Sequence, residues 1–152
     1  MALRSIETRT PDETEALGAE LALDLREGDV VLVRGDLGAG KTTLVRGAAR
    51  ALGVSDPVTS PTFSVGHRYR GDGLTVSHLD LYRLEGGLQH EEPELLDDYL
   101  GAGRIAFVEW PQSSAPELAG ARLQVTLGHR GEDRRLVEIE ELLPAAQSAT
   151  SA

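Results

Sequence analysis

The sequence predicts an α/β fold in which a mixed β-sheet is flanked by helices in three layers. Three observations support this class. Short apolar segments typical of buried strands alternate with segments of helical spacing, a glycine-rich turn joins one such strand to the next helix, and segments of alternating polarity form hairpins around glycines. Helix-connected parallel strands and antiparallel hairpins in one sheet make that sheet mixed.

The first predicted elements are a strand over residues 3–8 and a helix after it. Thr10 and Glu13 have the spacing of a capping box, and Pro11 stands at the first helical position, where its missing N–H has no partner to lose. The predicted helix carries an apolar face with four-residue spacing, formed by Leu17, Leu21 and Leu25.

A second strand and a second helix enclose the glycine-rich turn. Residues 29–34 are apolar and β-branched, and residues 42–52 are rich in alanine and leucine with Gly53 at the stop position. The remaining segments predict a hairpin (63–69 and 74–78), a helix (91–100), a strand (104–108) and a closing hairpin (121–127 and 136–140).

The composition fits one folded domain with an ordinary core. The chain has 152 residues, of which 40% are hydrophobic and 26% charged, a balance that disfavours wholesale disorder. We expect residues 1–143 to form a single domain. Residues 144–152 are small and polar, and we expect them to form a disordered tail.

Charge and residue usage exclude several kinds of protein. The 15 lysine and arginine residues against 25 aspartate and glutamate residues give a formal net charge of −10, which opposes direct binding of nucleic acid. The absence of cysteine excludes disulfides and thiolate metal sites. The longest aliphatic run, residues 30–33, is far shorter than the roughly 20 residues that span a bilayer. We therefore expect a soluble cytoplasmic protein without a membrane partner.

One segment matches a phosphate-binding motif in full. It lies between a predicted strand and a predicted helix and fits the P-loop pattern G-x-x-x-x-G-K-[ST]: Gly35-Asp36-Leu37-Gly38-Ala39-Gly40-Lys41-Thr42. Its glycines let backbone N–H groups face a phosphate, Lys41 reaches the β- and γ-phosphates, and Thr42 can put its hydroxyl on Mg²⁺. A purely steric turn would explain the glycines but not these two residues. ATP and Mg²⁺ are the predicted cofactors.

Lys41 is the only lysine in a chain with fourteen arginines. An ammonium is a compact point charge, whereas a guanidinium is a planar fork. The usage therefore indicates that this position needs a point charge in a tight space.

Two acids are candidates for the metal side of the site. Asp80 ends a half-apolar strand, whereas Glu109 ends the apolar strand over residues 104–108. A P-loop site needs an acid beyond its threonine to hold the metal or the metal's water. We favour Glu109, with Thr42, for the metal and Asp80 for orienting the attacking water. A solvated or salt-bridged acid at a strand end is the alternative for each.

Other segments carry weaker signals. The hydroxyl-rich loop over residues 59–62 occupies the chain position of a segment that senses the γ-phosphate, although a plain turn explains it equally well. Trp110, next to Glu109, either packs or reports on nucleotide. His78 is interpreted as a strand side chain, because the chain contains no H-x-x-x-H pair of the kind that indicates a zinc site. Without asparagine or a second lysine the chain has no N-K-x-D element, which favours adenine over guanine.

Four blocks in order resemble the TsaE (YjeE) family and together span roughly residues 5–140. They are the P-loop extended to Thr43, then Thr59-Ser60-Pro61-Thr62-Phe63, His78-Leu79-Asp80-Leu81-Tyr82-Arg83-Leu84 and Val108-Glu109-Trp110-Pro111. Four separate blocks at consistent spacing are far more specific than the P-loop alone.

The resemblance implies a small bacterial ATPase of tRNA threonylcarbamoyladenosine biosynthesis. Such a protein acts with TsaD and TsaB on the adenosine beside the anticodon, reaches tRNA only through these partners, and does not perform the transfer itself. The resemblance also implies that Thr42 and Glu109 serve magnesium, while Thr43 and Asp80 matter for turnover. We expect turnover by the isolated chain to be slow.

Some questions stay open at this point. Adenine and ribose contacts are not fixed by the four blocks; Thr10 and residues 130–135 are the candidates, with Trp110 beside the nucleotide. Two other functions remain compatible with the motifs. One is a P-loop kinase for a small molecule, and the other is a module whose assembly is gated by ATP binding without hydrolysis.

Overall fold

The chain folds into one sheet with helices packed against it, in a computed structural model that describes residues 3–36, 38–61, 66–80, 99–109 and 120–142. Within these ranges there are seven strands and two helices. In chain order they are β1 (Leu3–Thr8), α1 (Pro11–Ala22), β2 (Val30–Gly35), α2 (Lys41–Ala51), β3 (Gly66–Arg70), β4 (Thr75–Asp80), β5 (Arg104–Glu109), β6 (Leu123–His129) and β7 (Arg135–Glu141).

The sheet is mixed, as predicted, and its strand order is β1-β7-β6-β2-β5-β4-β3. The four inner strands β6, β2, β5 and β4 run parallel to their neighbours in this block. Antiparallel pairs complete both edges, β3 with β4 on one side and β7 with β6 and β1 on the other. The carboxyl ends of β2, β4 and β5 therefore meet at one edge of the sheet, where ligands bind in open α/β sheets.

Both described helices cover the same face of the sheet. Leu17 and Leu21 of α1 and Leu44 and Val45 of α2 are buried in one cluster with alternate residues of the inner strands, among them Phe107. The alternation follows from the two-residue period of a strand, which puts every second side chain under the helices. This packing holds the start of α2 at the carboxyl end of β2.

The opposite face of the sheet carries a smaller cluster of Val30, Leu32, Leu79, Ala106, Val108 and Ala121. Tyr99 and Leu100 pack against it. They are the last two residues of the helix predicted over 91–100, and the rest of that helix lies outside the described residues. The α/β class with a mixed sheet and flanking helices is confirmed.

Several predicted boundaries need correction. Helix α1 ends at Ala22, three residues before Leu25, because the following amides bond to carbonyls three residues back; Leu25 N–H, for example, donates to Ala22 O. Leu25 is nevertheless buried. Strand β6 begins two residues later than predicted and runs to His129, since the turn after it is confined to 130–134. Residues 62–65, which include the predicted start of the first hairpin at residue 63, lie outside the described residues, as do residue 143 and the predicted tail over 144–152.

Neither described helix has the length and apolar character needed to cross a membrane.

Candidate functional site

The predicted phosphate loop is the turn between β2 and α2. Gly40 is the N-cap residue of α2 and adopts a left-handed conformation with φ of 99°. Gly35 has φ of 151°, and a Cβ there would lie 2.7 Å from the carbonyl oxygen of Leu127. The motif thus has glycine where this backbone excludes a side chain. Since glycine has no side chain to cap α2, the first N–H groups of the helix are left for another acceptor.

The other loop residues have distinct places. Gly38 lines a cavity, Ala39 is fully buried, and the exposed Asp36 accepts a hydrogen bond from Ala39 N–H at its carbonyl. Leu37 lies outside the described residues. The loop is therefore closed by its own backbone and anchored by Ala39.

Lys41 is the first residue of α2, and its ammonium lies close to both the phosphate loop and Glu109. Its ammonium donates to the carbonyl of Gly35 at 2.6 Å and lies 3.8 Å from Oε1 of Glu109. Its side chain is only 13% exposed. The single lysine of the chain thus occupies a confined position, which fits the compact charge inferred from residue usage.

The two candidate acids stand side by side. Asp80 and Glu109 are the last residues of β4 and β5, and they are paired in the register of these parallel strands. Both are buried, at 9% and 6% exposure. The structure therefore brings both acids to the edge of the sheet where Lys41 lies.

His78 is the polar residue whose part in the site the sequence did not reveal. It is a strand residue, as interpreted, and it is completely buried; its Nε2 lies 2.7 Å from Oε2 of Glu109. The available signal was the spacing of His78 and Asp80, because residues two apart on a strand share one face. Recognising it required knowing that β5, which ends in Glu109, is the neighbour of β4.

These groups surround a cavity of about 670 Å³, a size within the range of small-molecule sites. Its walls come from the phosphate loop, the start of both helices, the loop before β3, the strand ends and the turn before β7. They comprise Pro11, Thr14, Gly38, Gly40, Lys41, Thr42, Thr43, Ser60, Asp80, Glu109, Asp133 and Arg135. Ser60 is the member of the predicted 59–62 loop that reaches the cavity, while Thr62 lies outside the described residues.

Arg135, which lines the cavity, binds backbone carbonyls of the phosphate loop. Its Nε–H donates to the carbonyl of Ala39 at 3.0 Å, and its Nη2 donates to that of Gly38 at 3.2 Å. Its Nη1 donates to the carbonyls of Glu132 and Arg134 at 2.7 and 2.8 Å. One guanidinium thus ties the β6–β7 turn to the phosphate loop and occupies two carbonyls of that loop.

Thr10 and Trp110 were further candidates for nucleotide contact. The hydroxyl of Thr10 accepts a hydrogen bond from Glu13 N–H at 3.1 Å and so caps α1, as predicted. The reciprocal half of the predicted capping box differs, because the Glu13 carboxylate accepts from Arg9 N–H at 2.8 Å. The neighbouring Pro11 and Thr14 line the cavity. A nucleotide contact of Thr10 stays a prediction, and Trp110 lies outside the described residues.

The donor set fits magnesium. Glu109, Asp80 and Thr42 offer carboxylate and hydroxyl oxygens around one cavity. Mg²⁺ is usually held by one or two carboxylates, by waters and by phosphate oxygens of the substrate. In the part of the chain that the structure describes, no three His, Cys, Asp or Glu residues gather into a cage for a metal. Two carboxylates and a hydroxyl are compatible with an Mg²⁺ ion whose other ligands are waters and phosphate oxygens.

Comparisons with known proteins agree on one family. The family model described as "Threonylcarbamoyl adenosine biosynthesis protein TsaE" matches residues 8–137. Two proteins named "tRNA threonylcarbamoyladenosine biosynthesis protein TsaE" are similar to the chain. The one from Bacillus subtilis is 38% identical over 128 residues, 84% of this chain and 79% of the relative. The one from Streptomyces coelicolor is 46% identical over 113 residues, 73% and 76% of the two chains.

A solved structure extends the agreement to the fold. The crystal structure of YdiB from Bacillus subtilis superposes with a TM-score of 0.71 at 29% sequence identity. The match covers 99% of this chain and 93% of that one. The similarity therefore covers the elements that build the cavity in this chain.

Proposed function

The chain belongs to the TsaE family, and from this premise we propose that it is an Mg²⁺-dependent ATPase of tRNA threonylcarbamoyladenosine biosynthesis that acts with TsaD and TsaB. One observation carries the ATPase part of the proposal. Lys41, at the start of the helix after the glycine turn, lies beside two buried carboxylates that end neighbouring parallel strands. This is the arrangement that phosphoryl transfer from a nucleotide requires of a P-loop protein.

Each group has a role in this proposal. The loop amides and Lys41 bind the β- and γ-phosphates, and Thr42 and Glu109 hold Mg²⁺. Bound Mg²⁺ neutralises charge on the phosphate oxygens. Asp80 accepts a hydrogen bond from the attacking water and so orients it, and Thr43, which lines the same cavity, assists turnover.

We infer that the isolated chain hydrolyses ATP slowly and that the partners stimulate it. Binding needs only the loop, whereas fast turnover also needs a cation that stabilises charge developing in the transition state. Among the described residues that line the cavity, the one arginine is Arg135, and its guanidinium is held by four backbone carbonyls. A partner protein is a suitable source of such a cation.

The net charge of −10 supports an indirect relation to tRNA, because an acidic protein gains little from the phosphate backbone. We propose that contact with tRNA is made through TsaD and TsaB, in the cytoplasm.

The direct test is ATP hydrolysis by wild-type protein, alone and with TsaD and TsaB. Slow hydrolysis that rises with the partners is expected, with Glu109→Ala inactive in both conditions. Glu138→Ala is the matched control, because Glu138 is an exposed glutamate on β7. Normal hydrolysis by Glu109→Ala would contradict the site. A phosphorylated small molecule formed together with ADP would instead identify a kinase.

A further inference from the structure

His78 and Glu109 form a buried pair, of which Glu109 lines the cavity. The imidazole has no exposure, and the carboxylate side chain is 7% exposed. Their contact, Nε2 to Oε2 at 2.7 Å, is at the short end for a hydrogen bond between a nitrogen and an oxygen. An ionised carboxylate can only accept hydrogen bonds, so His78 donates from Nε2. This contact commits one of the two carboxylate oxygens of Glu109.

The other oxygen of Glu109 faces the cavity side. Oε1 lies 3.8 Å from the ammonium of Lys41, and both residues line the cavity. A glutamate side chain has three rotatable bonds, and rotamer preference restrains the last of them, which turns the carboxylate, only broadly. The bond to His78 removes that rotation, so Oε1 keeps one direction.

The strands explain why His78 can do this. His78 pairs with Phe107 in the register between β4 and β5, and Asp80 pairs with Glu109. His78 and Asp80 share a face of β4, because they are two residues apart on a strand. The strand therefore supplies the Asp80 carboxylate at the edge of the sheet and, two residues earlier, the His78 imidazole as a hydrogen-bond donor. Nδ1 of His78 has no hydrogen-bond partner within the described ranges. The imidazole is therefore held among the described residues by its hydrogen bond to Glu109.

We propose that His78 is a positioning residue, which fixes Oε2 of Glu109 so that Oε1 is presented to the metal. The inference rests on the proposed function, in which Glu109 holds Mg²⁺. Partners that orient a metal ligand from behind typically change metal affinity 10–100-fold when they are lost. His78 would thus act on the metal through Glu109 and not by contact with the nucleotide.

The test compares His78→Leu with His78→Gln in the full chain. Leucine removes the donor, whereas the glutamine amide reaches to about the place of Nε2. Mn²⁺, which replaces Mg²⁺ and is visible by electron paramagnetic resonance, is titrated into protein saturated with ADP. We expect His78→Leu to bind Mn²⁺ about ten-fold more weakly than wild type, and His78→Gln to recover most of the loss.

Two controls separate positioning from damage to the strand. Ser77→Ala changes the neighbouring residue of β4, which is also fully buried and has an Oγ without a partner in the described structure; it should leave Mn²⁺ affinity unchanged. ADP affinity without a divalent metal should stay the same in all variants. If His78→Leu does not fold, His78→Asn takes its place. The same loss of Mn²⁺ affinity is expected, because the asparagine side chain is one bond shorter than that of glutamine and its amide does not reach Oε2 of Glu109.

The outcomes distinguish this inference from the proposed function. Equal Mn²⁺ affinity in wild type and the donor-free variant would overturn the role of His78 while leaving the metal site in place, and so would an equal loss in the leucine and glutamine variants. Wild-type protein that binds no Mn²⁺ in the presence of ADP would overturn the metal site itself.

Discussion

The two ends of the cavity are built in different ways. At one end Asp80, Glu109 and His78 are buried on the inner parallel strands β4 and β5. At the other end Asp133 lies in an exposed turn between β6 and β7, and Arg135 follows it at the start of β7. Buried strands hold groups with little freedom, whereas turns are mobile and tolerate change. Under the proposed function, the metal and the reacting phosphate belong to the acid end, and the turn end supports the phosphate loop.

This difference makes the two ends separable by experiment. A change at the acid end should alter metal binding and turnover and leave metal-free nucleotide binding intact. A change at the turn end should weaken nucleotide binding and leave turnover at saturating ATP intact. Lys41 contacts both the loop and Glu109, so its loss should affect both properties.

The largest effects are expected at the acid end, where substitutions also distinguish the role of Glu109 from that of Asp80. Glu109→Gln should lower both Mn²⁺ affinity and turnover, the latter by about 100-fold or more, since it removes a metal ligand. Asp80→Asn should lower turnover by about 100-fold but keep Mn²⁺ affinity, since it affects the water. Mn²⁺ titration with ADP and single-turnover hydrolysis measure the two properties. Retained Mn²⁺ affinity in Glu109→Gln together with its loss in Asp80→Asn would exchange the two roles.

An intermediate effect is expected at the turn end. Arg135→Met removes the two hydrogen bonds to the carbonyls of Ala39 and Gly38. Without them the phosphate loop is no longer held in its orientation. ADP affinity should fall about ten-fold, which corresponds to one hydrogen bond from a charged group. Arg134→Met changes the exposed neighbour and should bind ADP as wild type does. Unaltered ADP affinity in Arg135→Met, measured by calorimetry, would contradict the proposal that the turn end supports nucleotide binding.

The smallest effect is expected beside the turn end, at the start of α1. Thr10→Ala loses the cap on Glu13 N–H and should lower the free energy of unfolding by about 1 kcal/mol. Thr10→Ser keeps the hydroxyl and should keep the stability, as urea denaturation can check. If ADP affinity also falls in Thr10→Ala but not in Thr10→Ser, the predicted contact of Thr10 with nucleotide is supported. Wild-type stability in Thr10→Ala would contradict its role as a cap.

The sequence revealed the acid end better than the turn end, for physical reasons. Lys41 directly follows the glycine turn, and Asp80 and Glu109 end two strands. The carboxyl ends of parallel strands gather at one edge of a sheet, so chain position alone predicted that these residues lie close together. Arg135 gave no such signal, because its partner Ala39 is 96 residues away and is contacted through a backbone carbonyl. The role of His78 depended on the register of β4 and β5, which hydrophobic pattern alone does not fix.

The boundaries follow the same logic. β1 and β5 begin at the predicted residues, because a run of alternating or apolar side chains defines a strand locally. Helix α1 was predicted too long, because Leu25 continues the four-residue spacing although the backbone has already tightened. A buried side chain can be supplied by a turn as well as by a helix, and the spacing alone does not distinguish them.

The most direct test of the central claim is calorimetric titration of ATP in the presence of Mg²⁺, comparing wild type with Lys41→Ala. Lys41 is the group shared by both ends of the cavity, so the claim that this cavity is the ATP site depends on it. We expect wild type to bind one ATP per chain and Lys41→Ala to bind about 100-fold more weakly, the loss of a charge-assisted contact. Equal affinity in the two proteins, with both folded, would contradict the account.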